Sequence, residues 1–486
     1  MTRDDRPSVL AVALAALLAG CAAGGPGGGP STSALESGPG SGFLTPQGAY
    51  LRPLRPGVVV TPILTVGDTL LSSRPEDENY VFYPRPDGLG ARDAGNGAVE
   101  VYATHSLDWE SSAYASRVSR ILLNQRSAGV LNADYLLEGD EGYAFLSSTV
   151  LGRSSEGFLY PVVLVGEATT DGPRHGVVAA VDVRAATVTE LFWLGRFRHG
   201  GIAILRHSSG SVVAIQTEDG DPGDSQLWMY LANTVSDLLS GRGRLHVLRA
   251  DPPEFGRDTR TAAMATRNRP LSGRFVPCDN PSELALARQP YVLETRALAA
   301  GCLDFVRLGD VDLDPENTNS FYFTDAGWDF PADPATGRPV TGKGRLYRAQ
   351  LDPLDPTRVD LLEVMLDGDE GDDLYRPDDI AADPDGLMIQ EDPGVRGLHP
   401  SRVLRYDTRA RRLDPIAVCV ERDSRGRLLP EGTGGRWKTT GIIDASALFG
   451  TGSWLVTVQS PTTRVRPFGS EEGGGQLLLL RTTIGR

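Results

Sequence analysis

The chain has 486 residues, 63 acidic against 48 basic, and a formal net charge of −15. Hydrophobic residues make up 40% and charged residues 23%, which excludes a disordered chain and a multi-span membrane protein. The acidic balance argues against nucleic acid or an anionic membrane surface as the main partner. The 57 glycines and 34 prolines point to many turns rather than long helices. Only Lys343 and Lys438 are lysines, a mark of a G+C-rich genome.

The N-terminus reads as an address. Arg3 and Arg6 precede the apolar run Val9–Leu18, and Leu18-Ala19-Gly20-Cys21 follows the pattern of a bacterial lipobox. The run is too short to span a bilayer as a permanent helix. The expectation is a lipoprotein signal peptide over 1–20, lipidation of Cys21, and an extracytoplasmic protein anchored at the outer membrane or cell surface. Residues 21–48 are rich in Gly, Pro and Ser and read as a flexible tether. Outside the cytoplasm disulfides persist, so Cys278 and Cys302 are expected to pair, leaving Cys419 as a buried thiol.

From 49 to 486 the chain reads as short β-runs separated by Gly, Pro, Asp and Asn. A small or polar opener followed by an alternating apolar strand recurs six times, starting near 116, 175, 225, 344, 401 and 475. Each copy follows a strand that ends in a polar residue: His105, Glu167, Glu218, Asp325, Glu391 and Gln459. A further strand start lies upstream of each. Six units of three or four strands predict an all-β, six-bladed β-propeller with inter-blade insertions, the largest between about 231 and 303. A β-sandwich or two smaller β-domains is the competing architecture. One short helix is expected over 233–240.

In a propeller the innermost strands of all blades converge on a central channel, so polar residues at equivalent strand ends should meet there. Many of these are carboxylates, which repel unless cations or protons neutralise them, and oxygen-rich clusters favour Ca²⁺. Asp310, Asp312 and Asp314 alternate and would share one face of an extended strand. Residues 367–392 are strongly acidic, with Asp378, Asp379, Glu391 and Asp392 among them.

Segments such as PDGLGARDAGNGAVEVYATHS, VVLVGEATTDGPRHGVVAAVD, LGRFRHGGIA, QTEDGDPGDSQLWMYL, RLGDVDLDPENTNSFYFTDAG and RPDDIAADPDGLMIQEDPG run in an order that resembles the secreted PhoX-type alkaline phosphatases. The resemblance implies a six-bladed propeller and a polynuclear Ca²⁺/iron site that hydrolyses phosphomonoesters. Carried over residue by residue, Glu167 matches a Gly-Glu-Glu segment with Ala168 in the last place. His199 matches a His-Glu pair with Gly200 in the second, and Asp310 follows Gly309 where the family has Glu. Leu146-Ser147 replaces a Cys-Ser pair, so the thiolate that would hold iron is absent.

The resulting expectation is a reduced Ca²⁺ site built from Glu167, Glu218, Asp219, Asp310, Asp379, Glu391 and His199, in a lipid-anchored propeller acting on a small phosphoester. A non-catalytic binding or scaffold propeller, or a lactonase-like Ca²⁺-dependent hydrolase, is the alternative. The expected partners are the membrane, through Cys21, and a small phosphoester or other ligand.

Overall fold

The computed structural model describes residues 41–71, 79–109, 115–221, 224–251, 269–278, 291–328, 341–394, 397, 399–423, 427–429, 435–465, 468 and 473–483. Cys21, the signal peptide and the first part of the tether lie outside them. The described chain joins the fold at Phe43, whose N–H and C=O exchange hydrogen bonds with Val130.

Four short strands come first: β1 (Leu51–Pro53), β2 (Val58–Thr65), β3 (Thr69–Leu70) and β4 (Tyr80–Val81). Meanders follow. β5 (Pro86–Gly95), β6 (Ala98–His105), β7 (Arg117–Asn124) and β8 (Val130–Leu137) make one antiparallel sheet. β9 (Leu146–Gly152), β10 (Val162–Glu167), β11 (Val178–Asp182) and β12 (Thr187–Glu190) make the next. A nine-stranded sheet comprises β13 (His199–Arg206), β14 (Val212–Glu218), β15 (Leu227–Ala232), β16 (Arg244–Ala250), β17 (Leu271–Pro277), β18 (Leu308–Leu313), β19 (Ser320–Asp325), β20 (Arg345–Leu351) and β21 (Arg358–Asp367). Its order is β13-β14-β15-β16-β17-β21-β20-β19-β18, so β17 joins two meanders by their last strands. β13 and β18 also lie side by side, and the sheet nearly closes on itself. β22 (Pro377–Asp383), β23 (Gly386–Glu391), β24 (Arg402–Asp407) and β25 (Arg412–Cys419) add β1 at the edge. β26 (Lys438–Asp444), β27 (Ser453–Ser460) and β28 (Gly474–Thr482) add β2. The architecture is all-β and propeller-like.

Local chemistry sets the hairpins. Between β5 and β6 the turn runs through Asn96 and Gly97 at φ of 54° and 73°, the left-handed conformations that a tight hairpin turn demands. The recurrent pattern seen in the sequence is β7, β11, β15, β20, β24 and β28. Each is the third strand of its meander, and no two are neighbours.

Second strands are buried on both faces: every residue of β10, β14, β19 and β23 is buried. A strand flanked by sheets on both sides reads as a continuous apolar run. On β14, Val212 and Ala214 join the core shared with Leu164 of β10, while Val213 and Ile215 join the core shared with Phe323 of β19. Alternate side chains thus serve neighbouring cores. Similar cores lie between each consecutive pair of meanders, and the last, with Leu89, Val101, Leu455 and Leu479, joins the end of the chain to its start. The first strands touch in the order β5, β9, β13, β18, β22, β26 and back to β5.

The expected short helix is α1 (Val235–Leu239), capped by Thr234, whose Oγ1 accepts the Asp237 N–H at 3.1 Å. The unexpected α2 (Tyr291–Ala300) buries Leu293 and Ala297 beside Cys278 and Cys302. The expected Cys278–Cys302 disulfide is not formed. Both are buried thiols in that apolar cluster, and Cys302 donates to Asp304 at 3.1 Å. Cys419 is a buried thiol, as expected.

Candidate functional site

The first strands line a central cavity of about 720 Å³, reached by Gly88, Thr149, Asp310, Asp312, Asp379 and Ile443 among others. Their backbones approach closely because glycines stand at the contacts. A Cβ on Gly200 would sit 2.5 Å from the Gly309 oxygen, and one on Gly309 would sit 2.6 Å from the Asp378 oxygen. Hydroxyls of second strands tie the ring together. Thr324 donates to the Asp378 carbonyl at 2.5 Å and Thr457 to the Asp87 carbonyl at 2.9 Å. Thr217 donates likewise to the Gly309 carbonyl.

Near one end of the channel the ladder is broken in every meander. The register shifts between Pro86 and Leu89, Gly166 and Glu167, His199 and Gly201, Leu308 and Val311, Pro377 and Ile380, and Thr440 and Ile442. Bulges re-aim side chains and are common beside functional sites. Asp87, Asp310, Asp378 and Asp379 all fall within these breaks.

The strand-end acids expected to converge face elsewhere. Glu167 is fully buried and accepts the N–H groups of Ala144, Gly176 and Val177 at 2.8, 3.0 and 3.1 Å. Burial raises its carboxyl to about 7. Glu218 accepts the Trp228 indole N–H at 2.8 Å, and burial pushes it well above the usual range. Glu391 accepts two bonds from Arg402, at 2.9 and 2.7 Å, and the Tyr375 N–H at 3.1 Å. Asp325 takes the N–H groups of Val306, Arg307 and Gly327. His199 is buried, contacts the Gly176 carbonyl at 3.2 Å and packs on Phe197, and burial lowers its pKa to about 3. These residues hold loops and side chains of their own sheets. The cause is alternation: Thr217, Thr324 and Gln390 face the next meander, so Glu218, Asp325 and Glu391 one residue later face the other way.

One residue further on, the direction returns to the channel mouth. Asp219 and Asp392 both pair with Arg307, at 2.9 and 3.3 Å. Lys438 brings its ammonium to 3.6 Å from Asp378 and 3.9 Å from Asp392. Gln459 donates to Asp87 at 3.1 Å. Burial lifts Asp87 to about 7, with Lys438 opposing and Asp378 assisting. Burial and the charges of Asp378, Asp87 and Asp310 hold Asp379 well above the carboxylate range. Burial also dominates at Asp310, which accepts the Ile380 N–H at 3.3 Å. Burial alone would raise Asp392, but Lys438 and Arg307 hold it well below its usual value. Conversely, Asp392, Asp378 and Asp87 outweigh burial and hold Lys438 above its ordinary value.

Of the seven expected ligands, Asp219, Asp310 and Asp379 therefore lie at the mouth. Glu167, Glu218, Glu391 and His199 are engaged within their sheets. The three alternating aspartates border the same cavity. Asp312 accepts the Ala382 N–H at 2.8 Å on the side of Asp310, and Asp314, just past the end of β18, binds Tyr322 and Arg348 on the face that Asp312 shares with its cross-strand partner Tyr322. Arg307 and Lys438 were not singled out from the sequence. The rarity of lysine was the available signal for the second.

Among the described residues a polynuclear metal centre finds no fitting donor set in this arrangement. Among the described residues no three His, Cys, Asp or Glu side chains are grouped so as to hold a metal ion. Two cationic side chains stand among the mouth carboxylates, and the matching glutamates already have hydrogen-bond partners. No described helix is long and apolar enough to cross a membrane.

Comparison with known structures finds Pseudomonas fluorescens PhoX in complex with vanadate, a transition state analogue. It is 13% identical, with a TM-score of 0.60 over 91% of this chain and 98% of that one. A likeness at that identity shows a shared fold. The α-L-arabinanase of Penicillium chrysogenum complexed with arabinobiose is 10% identical over 88% of this chain and all of that one, at a TM-score of 0.43. No curated protein matches. The family model described as alkaline phosphatase PhoX matches residues 147–429, more than half of the sequence, and the chain belongs to the PhoX alkaline phosphatase family.

Proposed function

We propose that this is a six-bladed PhoX-family propeller, held outside the cytoplasm by lipidated Cys21, whose channel mouth serves binding rather than phosphoester hydrolysis. Support for six blades comes from the repeated four-strand order and the ring of first strands, with two blades fused along their outer edges by β17. One observation carries the functional reading: Glu167, Glu218 and Glu391 are committed to hydrogen bonds inside their own sheets. A phosphomonoester dianion arriving at the mouth would meet Asp87, Asp378, Asp379 and Asp310 together with Lys438 and Arg307, whose charges are already shared with Asp378, Asp392 and Asp219.

The family's phosphatase activity is the competing reading, favoured by the match itself. Purified mature protein is expected to give no p-nitrophenyl phosphate hydrolysis with Ca²⁺ and iron supplied. A turnover of about 1 s⁻¹ or more, within the ordinary enzyme range, refutes the binding reading. For the anchor, Cys21→Ala is expected to leave the membrane fraction or to accumulate as precursor. Unchanged membrane partition removes the lipid.

A further inference from the structure

We infer that the Lys438 ammonium, seconded by the Arg307 guanidinium, is the resident cation of the channel mouth, standing where carboxylates would otherwise require a divalent ion. The inference rests on the reading above, that the mouth carries no polynuclear centre. Lys438 opens β26, where its backbone pairs with Gln459 of β27. Its side chain reaches carboxylates of another sheet: Asp378 on β22 and Asp392 just past β23. Arg307 precedes β18 and clamps the same Asp392 to Asp219 just past β14. The two cations thus connect acids from two meanders, while they themselves come from two others, much as a bridging metal does.

The distances favour a shared central charge over one locked pair. At 3.6 and 3.9 Å the ammonium is beyond direct hydrogen-bond contact with either oxygen. Calcium would draw carboxylate oxygens to about 2.3–2.6 Å, so an ammonium here holds them about 1 Å further out. The carboxylates gather because folding places them together, and removing one positive charge leaves a half-buried negative excess, which is unfavourable. A small divalent cation is the chemical species that would then fill the gap.

The test uses the full mature chain, with metal content by elemental analysis and thermal melts in chelator and in Ca²⁺. Wild type is expected to carry no stoichiometric metal and to melt identically in both. Lys438→Ala is expected to melt lower in chelator and to regain stability with Ca²⁺. At free Ca²⁺ one hundred times Kd the folded-to-unfolded ratio rises roughly 100-fold. Lys438→Arg should remain indifferent to calcium. If Lys438→Ala does not fold, Lys438→Gln combined with Asp378→Asn removes one charge of each sign and should restore a folded, calcium-indifferent protein. A chelator-sensitive wild type, or a folded Lys438→Ala with no calcium response, overturns the inference. Phosphatase turnover by wild type instead sinks the reading on which it rests, and the two failures are read in separate assays.

Discussion

Replacing Arg402 by methionine tests whether Glu391 is a structural residue or a site ligand. The Glu391 side chain is fully buried and Arg402 is only 13% exposed. The guanidinium grips both carboxylate oxygens, at 2.9 and 2.7 Å, and also reaches Asp373 at 3.0 Å. Arg402→Met leaves a buried carboxylate without its partner, which costs about 3–5 kcal/mol. For a domain of this size that is a fall in Tm of about 3–5 °C. Burial already holds Glu391 above its ordinary value despite Arg402, and loss of the arginine raises it further. A carboxyl whose folded pKa is raised contributes stability below its unfolded value, and that stability is lost as pH rises through the folded value. The gap between variant and wild type should therefore widen from pH 4 to pH 8 in urea titrations. Glu391→Gln in the same background should recover part of the loss, because a neutral amide is tolerated where an unpaired charge is not. A gap independent of pH, or an Arg402→Met protein as stable as wild type, refutes the structural role.

The same reasoning extends to the whole protein: Asp87 and Glu167 are raised to about 7 and Asp312 to about 6, mainly by burial, against about 4 when unfolded. Between roughly pH 4 and 7 the folded state holds excess protons. Stability should fall by about 1.4 kcal/mol per pH unit for each of them, with Asp392 acting in the opposite sense below about pH 4; a higher urea midpoint at pH 8 than at pH 5 would contradict this. Gly441→Ala should cost about 3 kcal/mol or more, since φ is +45° and a Cβ would run into the Asp87 carbonyl oxygen. Gly450→Ala, with φ of +92° and open space around it, should cost clearly less, and equal losses in chemical denaturation would show that close strand approach is not what Gly441 serves. Thr324→Val removes the bond to the Asp378 carbonyl and should lower stability by about 1 kcal/mol, read as a shifted urea midpoint with an unchanged m-value.

The repeated strands were legible because their signals are local. A polar opener, alternating apolar residues and a turn of Asn-Gly type define a hairpin whatever lies around it, and all six recurrent segments became third strands. The polar residues at the ends of second strands were legible too, as a recurring position. Their direction was not. A strand side chain switches face at each residue, and the register breaks at each channel mouth reset that alternation where it mattered. Glu167, Glu218 and Glu391 were therefore read into the channel when they serve their own sheets, while Asp219 and Asp392 do reach the mouth. β17 and α2 gave no repeating signal, because they lie outside the meanders and owe their places to the strands and core they cover. Arg307 and Lys438 are far apart in sequence and belong to different meanders. The sequence determined the strands, the turns and the abundance of acid. Only closure of the ring decided which acids meet Arg307 and Lys438, since that depends on distances between sheets which no local pattern encodes.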